Sequence, residues 1–141
     1  MRENYTLTKG ARISVVDDDE SVREATKALI ESTGLSVEEF SSAEAFLNSG
    51  RSQAFDCLIL DVRMPGLGGL ELQRRLVADH CPTPIVFMTA LYVEEVRRKA
   101  MEAGAVDVLR KPFTEKELLT AISKSLTTHK QIADVSDDAR N

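Results

Sequence analysis

Apolar residues along this chain follow two patterns that take turns. Short β-branched or apolar runs alternate with longer stretches in which apolar residues recur every three to four positions. The first run, Arg12-Ile13-Ser14-Val15-Val16, ends at Asp17-Asp18-Asp19-Glu20 and reads as a strand followed by a turn. From Glu20 a helical spacing puts Val22, Ala25, Leu29 and Ile30 on one face, with Arg23, Glu24, Lys27 and Glu31 mostly on the other. Gly34 is the expected stop. Ser36-Val37-Glu38-Glu39-Phe40 is a weak strand with a polar side, which suits a sheet edge. Ser41 and Glu44 have the spacing of a capping box, opening a short helix with Ala45, Phe46 and Leu47 that ends near Gly50.

The third run, Phe55 to Leu60, is apolar almost throughout and closes on Asp61. A run of that kind bounded by turn residues reads as a strand buried on both faces. After Pro65-Gly66, Gly68-Gly69 lead into a helix expected to turn Leu72, Leu76 and Val77 inward and to end before Pro82 and Pro84. Ile85-Val86-Phe87-Met88 is a fourth buried strand, with Thr89-Ala90 at its exit. Val93, Val96, Ala100 and Met101 give the next helix its stripe, and Gly104 ends it. Ala105 to Leu109 is a fifth strand, followed by Arg110-Lys111-Pro112-Phe113. Thr114 and Glu117 form a second capping box, and Leu118, Ala121, Ile122 and Leu126 line the last helix.

Five strands alternating with five helices predict an α/β domain: a single doubly wound five-stranded parallel sheet with helices on both faces. Right-handed crossovers leave few topologies for it. Residues 1–10 read as a flexible arm, 11–127 as the domain, and 128–141 as a polar tail or linker.

Composition narrows the class. The 141 residues are 43% hydrophobic, enough for one core without disulfides or structural metal. No 18-residue apolar run exists and no secretory signal is visible. Cys57 and Cys81 do not make a disulfide framework, so reduced thiols in the cytoplasm are expected. A net charge of −5 argues against this segment gripping nucleic acid by itself.

The chemistry comes from the strand ends. In a parallel sheet the C-terminal ends share one edge, where ligands bind. The first strand delivers Asp17 and Asp18 there, the third Asp61, the fourth Thr89, and the fifth Lys111. Clustered carboxylates repel unless a cation offsets them. Oxygen ligands without His or Cys select a hard ion, for which Mg²⁺ is the candidate. Lys111 can meet a phosphoryl oxygen, Thr89 can donate to another, and Asp61 is a candidate nucleophile for an aspartyl phosphate. Positioning and charge neutralisation are most of what phosphoryl transfer requires. Taken singly, the acidic run could be only a helix N-cap, and Asp19 fits a cap better than a ligand. Cys57 reads as a core thiol and Phe113 as packing, while His80 and His129 stand isolated.

The residues Val16-Asp17-Asp18-Asp19, Leu60-Asp61-Val62-Arg63-Met64-Pro65-Gly66, Thr89-Ala90 and Arg110-Lys111-Pro112-Phe113 carry a resemblance. In this order, with 43 positions from Asp18 to Asp61, 28 to Thr89 and 22 more to Lys111, the chain resembles the receiver domain of bacterial two-component response regulators. The match runs from about Ala11 to Leu126, and Gly69-Leu70 and Ala103-Gly104-Ala105 also fit. Ala43-Glu44-Ala45-Phe46-Leu47 and Gly104-Ala105-Val106-Asp107 look most like the FixJ/NarL-type branch.

The resemblance implies a (βα)5 flavodoxin-like, CheY-like fold. It implies that Asp61 takes a phosphoryl group from a sensor histidine kinase. Asp18, Asp61 and the backbone carbonyl of Arg63 would ligate Mg²⁺, with Asp17 helping through water. Lys111 would pair with the phosphoryl group, and its bond to Pro112 is expected to be cis. Thr89 would move toward the phosphoryl group and remodel the face on which such domains form homodimers. Members of this branch usually carry a DNA-binding helix-turn-helix domain after the receiver, so residues 128–141 are expected to lead to an output domain; the other reading is a stand-alone receiver acting by protein contact.

The chain departs from the pattern at Val108, where many receivers carry an aromatic ring three residues before the lysine; Tyr92 is the candidate substitute. The competing class is an aspartyl-nucleophile phosphatase of the haloacid-dehalogenase kind, which places a second acid two residues after the nucleophile. Here that position is Arg63, which favours a phosphoacceptor with at most slow self-dephosphorylation over an enzyme.

Overall fold

A computed structural model describes Tyr5 and residues 7–140, with side chains described as far as Thr128. The elements are β1 (Arg12–Val16), α1 (Glu20–Glu31), β2 (Ser36–Phe40), α2 (Ala43–Asn48), β3 (Cys57–Asp61), α3 (Gly69–Ala78), β4 (Ile85–Thr89), α4 (Glu94–Glu102), β5 (Asp107–Arg110) and α5 (Glu115–Arg140). All five strands pair in parallel in one sheet, in the order β2-β1-β3-β4-β5. This is the flavodoxin-like arrangement, and the strand order reverses between β1 and β3. The ends of those two strands, Val16-Asp17 and Leu60-Asp61, therefore flank the crevice.

Burial follows from the sequence pattern. Every residue of β3 and β4 is buried, as continuous apolar runs require of central parallel strands. Edge strand β2 is only half-buried, in keeping with Glu38 and Glu39. Successive side chains leave opposite faces of the sheet, which builds two cores. One holds Val16, Phe46, Phe55, Leu58, Leu60, Leu72, Phe87 and Ala100. The other holds Ile13, Val15, Ile30, Ile59, Val86, Met88, Leu118 and Ile122.

Helix boundaries test the capping signals one by one. Asp19 caps α1 by accepting from the Val22 amide at 3.1 Å, the cap role expected of it. Thr114 and Glu117 form the reciprocal box: the Glu117 amide donates to Thr114 Oγ1 at 3.1 Å and the Thr114 amide to Glu117 Oε1 at 3.0 Å. The first box does not form as expected. Ser42, not Ser41, caps α2, accepting from the Ala45 amide at 3.0 Å, and Glu44 turns elsewhere.

Some faces differ from expectation. Val77 is 53% exposed, and buried Gln73 takes its place beside Leu72 and Leu76. Its Nε2 donates to the Ala100 carbonyl at 3.0 Å, so an inward amide ties α3 to α4. Ala25 is exposed and Val22 and Leu29 are half-buried, because this side of α1 borders a groove instead of a neighbouring element. The helix α5 continues through the polar segment expected as a tail. A linker can be helical, so the two descriptions are compatible. Much of the expected arm, 1–4 and 6, lies outside the described residues, but Leu7 packs against the second core.

Candidate functional site

Four strands bring their exits to one edge. β1 ends just before Asp17, which is fully buried; Asp18 beside it is exposed. β3 ends on Asp61, also buried. One carboxylate oxygen from each of Asp17, Asp18 and Asp61 lies within 4.8 Å of the others. Lys111, just past β5, closes the group. Its Nζ stands 2.8 Å from Asp17 Oδ2 and 3.3 Å from Asp61 Oδ2, with the side chain only 14% exposed. The Lys111–Pro112 peptide bond is cis.

The electrostatics follow from crowding. Burial first, and the neighbouring charge of Asp17 second, push the Asp61 carboxyl up to about 7; Lys111 and the Arg63 amide pull against that without cancelling it. Burial also works against the charged form of Lys111, but Asp17 and Asp61 outweigh it and the net shift is upward. The cluster thus holds more negative charge than one lysine neutralises. A hard cation taking oxygen ligands from Asp18 and Asp61 fits that imbalance and that donor set.

Backbone and side-chain bonds fix the acids. Asp17 Oδ1 accepts the Asp19 amide at 2.9 Å, and its carbonyl accepts Arg23 Nη1 at 2.8 Å. Arg23, expected on the outer face of α1, instead turns back to the loop and pairs with Glu39 at 3.7 Å. The Arg63 amide donates to Asp61 Oδ1 at 3.3 Å. Gly69 lies directly against the Asp61 carbonyl, where any Cβ would collide with backbone. The sequence marks Gly69 as a helix start and as a position that fits the resemblance, but not this close approach.

Thr89 sits at the same edge, one residue beyond the Met88 that pairs with Asp61. Its hydroxyl is engaged with its own loop: Oγ1 donates to the Leu91 carbonyl at 2.9 Å and accepts from the Leu91 amide at 3.2 Å. Tyr92 packs against the first core, with the Arg110 guanidinium 4.9 Å above its ring. Val108 is buried and pairs with Phe87. Beside Lys111 runs an apolar groove of about 560 Å³ lined by Val22, Ala25, Leu29, Ala90, Pro112 and Phe113.

Sequence reasoning missed Arg23, Glu44 and Gln73 as structural partners of this region. Arg23 and Gln73 act on backbone carbonyls, and Glu44 on the Leu67 amide at 2.6 Å, 23 positions away. No local spacing announces such contacts. Cys57 is a core thiol as expected: burial, opposed by a hydrogen bond with Ser125, pushes it up to about 12.

An acidic trio, a bridging lysine and a strand-end threonine on a 2-1-3-4-5 sheet define a receiver-type site. The model of the response regulator receiver domain matches residues 13–123, and the chain belongs to that family. It is 49% identical over 114 residues to the response regulator protein TodT of Pseudomonas putida, covering 81% of this chain and 50% of TodT. It is 42% identical over 119 residues to the transcriptional regulatory protein FixJ of Bradyrhizobium diazoefficiens, covering 84% of this chain and 58% of FixJ. The solved response regulator StyR superposes with a TM-score of 0.86 at 41% identity, over 93% of this chain and 66% of StyR. The chain spans about half the length of the curated relatives it matches. It is thus a FixJ/NarL-type receiver domain of a two-component system, related to transcriptional regulators. Among the described residues no helix is long and apolar enough to cross a membrane.

Proposed function

We propose that this domain is a phosphorylation-controlled switch in which Asp61 is the phosphoacceptor. The observation that carries the reading is Lys111 bridging Asp17 and Asp61 beside a third acid. An Asp61 carboxylate oxygen attacks the phosphorus of a kinase phosphohistidine. The P–O bond forms as the P–N bond breaks, and the electron pair stays on the imidazole. Asp18, Asp61 and the Arg63 carbonyl would hold Mg²⁺, with Asp17 acting through water. When bound, Mg²⁺ supplies charge neutralisation for the acids and the phosphoryl oxygens. Lys111 would swing from Asp17 to a phosphoryl oxygen, which its 2.8 Å contact with Asp17 beside Asp61 supports. The apolar groove beside Lys111 supports contact with the phosphodonor on the α1 side.

Thr89 is the proposed relay. To donate to a phosphoryl oxygen it must give up the Leu91 carbonyl, and the β4–α4 loop then follows. Tyr92 moves with that loop and takes the part that Val108 lacks the ring for. The output is homodimerisation and, through a C-terminal helix-turn-helix domain beyond this segment, transcriptional control of DNA. The half-length match to TodT and the name of FixJ support that output. The site is a cytoplasmic phosphoacceptor with at most slow self-dephosphorylation; Arg63, where an aspartyl phosphatase would place its second acid, weighs against turnover.

Incubation with acetyl phosphate and Mg²⁺, read by intact mass, tests this. One phosphoryl group is expected on the wild type and none on Asp61→Asn. Turnover of an external phosphate ester, or no addition at all, overturns the reading.

A further inference from the structure

We infer that Glu44, on α2, is a positioning residue for the phosphoacceptor site, acting through the β3–α3 loop; the inference rests on the receiver reading above. That loop, residues 62–68, runs from Asp61 to the start of α3 and carries Arg63. Its two ends are tied to the sheet and to each other. The Val62 amide donates to the Met88 carbonyl at 3.0 Å, and the Gly69 amide to the Val62 carbonyl at 3.0 Å. Between those ties, the described bond that holds the tip from outside is the Leu67 amide donating to Glu44 Oε1 at 2.6 Å.

The approach is built in. Gly66 has φ +76, which a glycine adopts without strain, and a Cβ there would stand 3.0 Å and 3.4 Å from the two Glu44 carboxylate oxygens. So Gly66 serves the turn and also leaves room for the acid. The start of α2 serves the same contact. With Ser42 as the cap, Glu44 lies in the first turn and is not the member of a capping box that reaches back to its own helix. A hydrogen bond from an amide to a carboxylate is stronger than one to a neutral acceptor. Loss of a contact that orients a metal-holding group lowers metal affinity, and here that group would be the Arg63 carbonyl on the same loop. Asp61, Lys111 and Thr89 make no described contact with Glu44, so its effect passes through the loop alone.

The split between metal requirement and rate tests the inference. Amide spectra of Glu44→Ala, Glu44→Gln and the wild type are titrated with MgCl₂, and acetyl phosphate labelling is followed across the same Mg²⁺ range. The expected result for Glu44→Ala is about a tenfold higher Mg²⁺ concentration at half-saturation. Labelling at saturating Mg²⁺ stays near wild type, and the Leu67 amide exchanges faster with solvent. Glu44→Gln, which keeps an acceptor oxygen, recovers part of the Mg²⁺ shift and of the Leu67 protection. A lowered Tm with an unchanged Mg²⁺ midpoint overturns the inference and makes Glu44 merely structural. A wild type that neither binds Mg²⁺ nor takes a phosphoryl group overturns the receiver reading instead, so the two failures are distinguishable.

Discussion

At the exit of β3, Gly69 packs against the Asp61 carbonyl with no room for a side chain, and Glu44 holds the loop tip through the Leu67 amide. At the exit of β4, one strand over, the Thr89 carbonyl accepts the Lys111 amide at 2.8 Å, but its hydroxyl bonds within its own loop, to Leu91, which is 52% exposed. Beyond their backbone ties to the sheet, the two adjacent exits are therefore held differently. The first must keep an acid and its neighbours in place against mutual repulsion. The second, on the proposed switch, would let go when a better partner for the threonine arrives. Stability drawn from sheet and backbone packing suits the former, and a few local hydrogen bonds suit the latter.

The largest expected effect comes from breaking the rigid side. In Gly69→Ala the new methyl meets the Asp61 carbonyl and stands 3.1 Å from Val62 Cα, and neither is a flexible side-chain end. Overpacking against backbone costs about 3 kcal/mol. The expected outcome is a Tm lower by roughly 10 °C for a domain of this size, measured by calorimetry. The same substitution at Gly50, where a Cβ meets nothing within 4 Å and only φ +69 resists it, should cost less. Equal losses at the two glycines would mean that conformation, and not the close approach, sets the requirement at Gly69.

A second test reads the charge stored on that side. The folded pKa of Asp61, about 7, lies above the ordinary carboxylate value of 3.8. Between those two values the folded protein binds the extra proton, so this group makes stability fall as pH rises from about 4 to about 7. The penalty is fully present above that window. Asp61→Asn removes it. The variant should match the wild type near pH 4 and melt increasingly above it as pH rises to 8. Mg²⁺ should raise the wild-type Tm at pH 8 and do little for the variant. A Tm difference that does not change with pH would mean that burial and the charge of Asp17 do not raise the Asp61 carboxyl.

These contrasts also mark what was legible in the sequence. The strands were, because buried parallel strands are continuous apolar runs and their ends are where Asp17, Asp61, Thr89 and Lys111 stand. Helix faces were legible only in part. Periodicity gives the direction of a stripe but not how widely neighbours cover it, so Ala25 and Val77 came out exposed while Gln73 went in. Polar composition announces no packing face beyond Thr127, yet helix α5 runs on to Arg140. Arg23 and Glu44 were illegible because each bonds a backbone group in another loop.

The smallest effect probes the β4 side. The Arg110 guanidinium over the Tyr92 ring links the β4–α4 loop to the end of β5, where Arg110 pairs in register with Thr89. An exposed contact of this kind contributes about 0.5–1 kcal/mol. If it holds the loop in its resting place, Arg110→Ala should tighten dimerisation of the unphosphorylated protein by roughly two- to fivefold, the same energy expressed as a binding ratio. Sedimentation measures that shift. Tyr92→Ala should do something different: it removes the ring proposed to travel with the loop, so phosphorylation should no longer change the dimer Kd. Should both variants behave as wild type, the β4–α4 loop moves by backbone alone. Val108 then marks a receiver that switches without an aromatic side chain, and the β4 exit needs only Thr89.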